Sequence, residues 1–182
     1  GPMRVTVVHN ENAGCGLMSR EELLGELEYA GHEVTEIGAL DRLKDEAFRE
    51  DCDVVIAAGG DGTVLSVCSR LVNSDVKVVV LPLGTANNLA RALGMTRSIP
   101  HLIKLLDSGL DRRLDVGVAV GAWGSRLFVE SAGIGWFCEA ISEAIEDGDK
   151  TPERAQRVLS DFLARYQTRH WDLSIDGVNM SG

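Results

Sequence analysis

Apolar positions in the first two thirds of the chain come as short unbroken runs that end in glycine. Residues 3–8 alternate and then run apolar, the pattern of a first strand. Ser19-x-x-Glu22 is a capping box that opens a helix through Tyr29, and Gly31 closes it. Residues 32–37 read as a second strand and 41–49 as a short helix. Asp53 then leads into Val-Val-Ile-Ala-Ala and two glycines, which predicts a buried strand. After Thr63, the residues Val64, Val67, Cys68 and Leu71 fall at i, i+3, i+4 and i+7, one face of a helix. Residues 76–83 form another buried strand, and Gly84-Thr85-Ala86-Asn87-Asn88 introduces a helix that Gly94 closes. An amphipathic helix over 98–106 carries Pro100 in its first turn, where proline is tolerated.

Near Arg112 the texture changes. Residues 114–120 and 126–132, joined by a turn at 121–124, predict an antiparallel hairpin. A helix over 136–145, an acidic turn at 146–150 and a long helix from Pro152 to about His170 follow. The last elements are a strand over 171–175, an Asp176-Gly177 hairpin turn and a return strand from Val178. Strands alternating with helices up to residue 111 predict an α/β domain with a mainly parallel sheet.

Two of these strands end in a glycine loop that opens a helix, and that arrangement carries chemistry. Open α/β sheets bind ligands in the crevice at the carboxyl ends of their strands. Gly59, Gly60 and Gly62 let a ligand approach the backbone, and the amides at a helix start suit a phosphate. Thr63 can cap the helix or reach a phosphate oxygen. Gly84 and Thr85 repeat the pattern, and in a parallel sheet both loops would converge on one ligand. No Gly-x-x-x-x-Gly-Lys-Ser/Thr is present, and Leu65 stands where the third glycine of G-x-G-x-x-G belongs. The chain therefore has neither a Walker loop nor a Rossmann dinucleotide turn.

AAGGDGTV (57–64) together with LPLGTANNLAR (81–91) resembles the catalytic domain of the diacylglycerol kinase family of lipid kinases. Gly-Gly-Asp-Gly-Thr alone is shared with NAD kinases and phosphofructokinase-like enzymes; the second loop points to the lipid kinases. The resemblance implies an NAD kinase-like three-layer domain over 3–111, followed over 112–182 by the truncated start of a β-sandwich domain. It also implies ATP and Mg²⁺ as cofactors and γ-phosphoryl transfer to the hydroxyl of a diacylglycerol-like lipid. Nucleotide contacts would come from Asn10, Gly14, Gly59, Gly60, Asp61, Gly62, Thr63, Gly84, Thr85 and Asn87, with Asp61 holding the metal. The catalytic base is expected in the second domain, beyond the residues present, and nothing in the sequence gives that part to Asp115.

This chain departs from the family's pattern at four places. Glu11 replaces the proline of the first loop, Gly38 stands where a threonine is frequent, and Ser66 and Asn88 replace carboxylates. Two other readings therefore stay open: a nucleotide-binding homologue with weakened catalysis, and an NAD kinase-like enzyme. Because the chain stops within a hairpin, it is expected to be a piece of a longer enzyme, with exposed strand edges that invite pairing between copies. Gly1-Pro2 ahead of Met3 reads as a tag-cleavage remnant.

Composition narrows the class further. A net charge of −10 argues against a nucleic-acid partner and gives no help at an anionic membrane. Arg165 and Arg169 are the modest basic exception, read as a solvated helix face. Four cysteines without metal or redox spacing fit a reduced, cytoplasmic setting, with the lipid substrate met at a membrane periphery.

Overall fold

The computed structural model describes residues 1–38, 52–146 and 151–182, so the helix expected at 41–49 lies outside the described residues. Contacts divide the chain into two compact units, Gly1–Glu130 and Ser131–Gly182.

The first unit begins with β1 (Arg4–His9), α1 (Arg20–Tyr29) and β2 (Glu33–Gly38). After these come β3 (Val54–Gly59), α2 (Asp61–Arg70), β4 (Lys77–Pro82), α3 (Asn88–Ala92) and α4 (Ile99–Lys104). The four strands form a parallel sheet in the order β2-β1-β3-β4. β1 and β3 therefore flank the point where the chain reverses its direction across the sheet, the place where such sheets hold ligands. His9 lies level with Ala58, and Gly59 level with Pro82, so β1, β3 and β4 end along one edge.

Successive residues of a strand face opposite sides, and here both sides are apolar because both are covered. Val5, Val7, Val54, Ile56, Ala58 and Leu81 pack with Leu23 and Leu27 of α1 and with Leu102 and Ile103 of α4. On the other face Val8, Val55, Ala57 and Val80 pack with Val64 and Val67 of α2 and with Leu89 and Ala90 of α3. The result is a three-layer α/β unit. Each fully buried aliphatic side chain contributes roughly 1.5–3 kcal/mol by leaving water. α1 starts at the expected capping box: Ser19 Oγ accepts the Glu22 amide at 3.2 Å, and Glu22 Oε2 accepts the Ser19 amide at 2.7 Å.

At the opposite end of the sheet, Asp53 accepts the Arg4 amide at 2.8 Å and the Arg4 guanidinium at 3.0 Å. The guanidinium hydrogen bond, helped by the amide, holds the Asp53 carboxyl below its ordinary value. With the folded value depressed, this contribution is present above the unfolded carboxylate pKa and fades as pH falls through the folded one. Arg4→Gln is expected to move the Asp53 titration part of the way back up, as read from its side-chain carbon shift by NMR.

A hairpin of β5 (Gly117–Gly121) and β6 (Gly124–Phe128) completes the unit. It is shorter at its open end than the sequence predicts, while at the turn the pairing runs on to Gly121 and Gly124. Beyond β6, Val129 leaves the pairing to pack on the α2 face of the core, and before β5 the chain is exposed and charged at Asp111, Arg112 and Arg113.

The second unit contains α5 (Trp136–Glu146), α6 (Pro152–Arg165) and a hairpin of β7 (Asp172–Ile175) and β8 (Val178–Ser181). α6 stops five residues before the expected His170. Tyr166 is already extended, and by Trp171 the backbone bonds to Gly182 in both directions to enter the hairpin. Arg165 and Arg169 remain exposed, as expected of a solvated face, and form surface ion pairs with Glu143 and Glu139, which lie four apart on α5. The Asp176-Gly177 turn has φ of 48° and 82°, the left-handed pair that a tight hairpin needs. Among the described residues no helix is long and apolar enough to cross a membrane, and Cys68 and Cys138 carry free thiols.

Candidate functional site

Three loops leave the aligned carboxyl ends of β1, β3 and β4, and each touches the other two. Backbone bonds stitch their roots: Asn10 donates to the Ala58 carbonyl at 3.0 Å, and Leu83 donates to the Gly59 carbonyl at 3.1 Å. Loop one meets loop two where Asn10 Nδ2 donates to Thr63 Oγ1 at 3.4 Å. It also meets loop three, because Gly14, at φ 56°, lies so close that a Cβ there would stand 2.1 Å from the Leu83 carbonyl oxygen. Loops two and three meet backbone to backbone, a Cβ on Gly84 falling 2.3 Å from Gly60 Cα. Asp61 Oδ1 adds a bond across the same seam by accepting the Leu89 amide at 3.1 Å.

The convergence expected of the two glycine loops is thus present, but several side chains have other tasks than those read from the sequence. α2 begins at Asp61, not after Thr63, and Gly60 is its cap residue. Thr63 lies inside the first turn, 3% exposed, so it neither caps the helix nor faces solvent. Its side chain occupies the space beside Gly59, where a Cβ would meet Thr63 Oγ1 at 2.3 Å. Gly59 makes room for threonine rather than for a ligand. Thr63→Val keeps the volume but deprives Asn10 of its acceptor, which should cost about 1 kcal/mol in urea unfolding.

Asn87 is also engaged within its own loop. At φ 50°, its Oδ1 accepts the Gly84 amide at 2.9 Å and its Nδ2 donates to the Gly84 carbonyl at 2.6 Å. This clamp shapes the turn that brings Gly84 against Gly60. Asn88 accepts from the Arg91 guanidinium at 2.5 Å. Asp115 is exposed in the extended segment before β5.

Gly62 and Thr85 are the expected site residues that remain exposed on these loops. Nothing lies within 4 Å of the place a Gly62 Cβ would take. The Thr63 and Val64 amides both bond to the Gly60 carbonyl, and Gly60 has no side chain to cap the helix. The amides of Asp61 and Gly62 thus have no acceptor within α2, at the positive end of its dipole. Among the described residues no three His, Cys, Asp or Glu side chains cluster to hold a metal.

Sequence reasoning did not single out His9, the last residue of β1. It is 5% exposed, and its Nε2 lies 3.0 Å from the Met18 carbonyl. The available signal was a histidine closing a strand that is otherwise mostly valine.

A parallel three-layer sheet with three glycine-bearing loops converging at its switch point defines a class of α/β proteins with a crevice at the carboxyl edge. Within that class, the model of the diacylglycerol kinase catalytic domain matches residues 4–119, and the chain belongs to that family. The diacylglycerol kinase of Staphylococcus aureus (strain JH9) is 29% identical over 168 residues, covering 87% of this chain and 50% of the relative. The chain thus spans about half the length of the curated relatives it matches. A Bacillus anthracis protein provisionally described as a diacylglycerol kinase superposes with a TM-score of 0.51 at 26% identity, over 62% of this chain and 41% of its own. A crystal structure of a diacylglycerol kinase from the same organism gives 0.50 at 23%, a likeness of fold, over 62% of this chain and 44% of its own.

Proposed function

We propose that this chain is the nucleotide-binding part of an ATP-dependent lipid kinase that transfers a γ-phosphoryl group to a diacylglycerol-like hydroxyl at a membrane surface. The observation that carries this reading is the three-loop seam, which leaves Gly62 and the first amides of α2 open beside it. Those amides would hold phosphate oxygens, the Thr85 hydroxyl would add a donor from the third loop, and Asn10 and Asn87 would keep the loops in register. Phosphoryl transfer asks little more of the protein than positioning and charge neutralisation.

The residues present fit Mg²⁺ in the mode that uses one carboxylate and substrate phosphates. Asp61 Oδ1 is taken by the Leu89 amide, and Oδ2 is the oxygen left for a cation or its water. When bound, Mg²⁺ supplies charge neutralisation on the transferring phosphoryl group. Asp61 has a second task, which is to fix α3 against α2 so that Thr85 stands opposite Gly62's loop.

A second reading, a nucleotide-binding homologue with weakened catalysis, is favoured by Ser66 and by Asn88, whose amide oxygen serves Arg91 rather than a cation. Incubating the protein with γ-labelled ATP, Mg²⁺, NAD and diacylglycerol in mixed micelles separates the two. Label in the lipid supports the kinase; ATP binding without transfer favours the weakened homologue; label moving to NAD instead would overturn both.

A further inference from the structure

From the His9 geometry we infer that this histidine is a positioning residue for the first nucleotide loop, an inference that rests on the proposed nucleotide site. A carbonyl oxygen only accepts, so the 3.0 Å contact with Met18 requires Nε2 to carry the proton. This bond joins the end of β1 to the far end of the segment that holds Asn10 and Gly14. That segment needs a tie. Gly14 and Gly16 are both left-handed, at φ 56° and 75°, and Glu11 brings none of the φ restraint a proline would supply.

The other ring nitrogen strengthens the argument. Nδ1 is shut from solvent with no hydrogen-bond partner among the described residues, and Glu11 Oε1, at 4.0 Å, is too far to serve as one. An unpartnered buried nitrogen opposes folding, because it gives up its hydrogen bonds to water and gains none. Val5, Val7 and Val8 are buried and apolar in the same strand, so an apolar residue in place of His9 would suit that part of the core better. The imidazole does what those residues cannot: it holds Met18, and through it the loop. Asn10 then keeps its reach to Thr63, and Gly14 its contact with Leu83.

The test compares wild type with His9→Phe, which keeps the ring volume and loses the donor, and His9→Gln, whose amide restores a donor near Nε2. ATP–Mg²⁺ affinity is read by calorimetry, and amide exchange of residues 10–18 is read on the nucleotide-free protein. The phenylalanine variant should bind roughly tenfold more weakly and exchange faster across the loop, with glutamine within about twofold of wild type on both. A phenylalanine variant that matches wild type, or a glutamine variant as impaired as phenylalanine, overturns the inference. If wild type binds no nucleotide, the proposed function falls, and loop exchange alone decides the positioning role.

Discussion

Gly84→Ala is expected to abolish tight nucleotide binding and to lower stability by about 2–3 kcal/mol. The new methyl would stand 2.3 Å from Gly60 Cα and 2.9 Å from Asn87 Oδ1, and the first of these neighbours is backbone. Neither side yields cheaply. Gly60 is fixed as the cap of α2, and moving Gly84 breaks the Asn87 clamp and strains the Leu83–Gly59 bond. Overpacking of this kind costs about 1–3 kcal/mol, and loss of the clamp puts this case at the upper end. The loops would separate by about an ångström, a displacement that costs on the order of 100-fold in a positioned site. Urea unfolding and calorimetry on the same preparation check both numbers.

Asp61→Ala should be nearly as damaging to binding and activity but gentler on the fold. The Leu89 amide loses its acceptor, and loss of such a helix-start bond costs roughly 0.5–2 kcal/mol. Loss of the charge should lower Mg²⁺-dependent phosphoryl transfer on the order of 100-fold or more, the scale set by removing one preorganised electrostatic group. Asp61→Asn separates the two tasks, because its amide oxygen still accepts from Leu89. The asparagine variant should melt close to wild type yet show most of the loss in transfer. A variant that is stable and also active would remove Asp61 from the metal site.

What could be read from the sequence was what is local in the chain. The runs ending at Gly59 and at Leu83 declare buried strands, and the Ser19–Glu22 box declares a helix start, because each signal lies within a few neighbours. The coincidence of two glycine loops at one sheet edge follows from parallel strands and needed no further information. The assignments of Thr63, Asn87 and Gly59 did not follow. Thr63 accepts a hydrogen bond from Asn10, which is 53 residues earlier, and Gly59 is glycine because the Thr63 side chain folds back over it. The first contact crosses the seam and is invisible until the strands are in register; the second is local but depends on how the Thr63 side chain folds. Arg165 and Arg169 show the same limit, since their partners are on another helix. His9 was passed over because a single histidine in a valine-rich strand gives no pattern, and only its bond to Met18 points to a role.

The measurement closest to the central claim is Gly62→Ala, followed by thermal unfolding and by titration with ATP–Mg²⁺. Because nothing lies within 4 Å of that position, alanine meets no neighbour of the protein's own, and in a helix it should stabilise by about 0.5–1 kcal/mol. If the open space at the start of α2 is where phosphate sits, the melting temperature should hold or rise while affinity falls roughly tenfold or more. A variant that is more stable and binds ATP–Mg²⁺ as tightly as wild type would contradict a phosphate site at this helix.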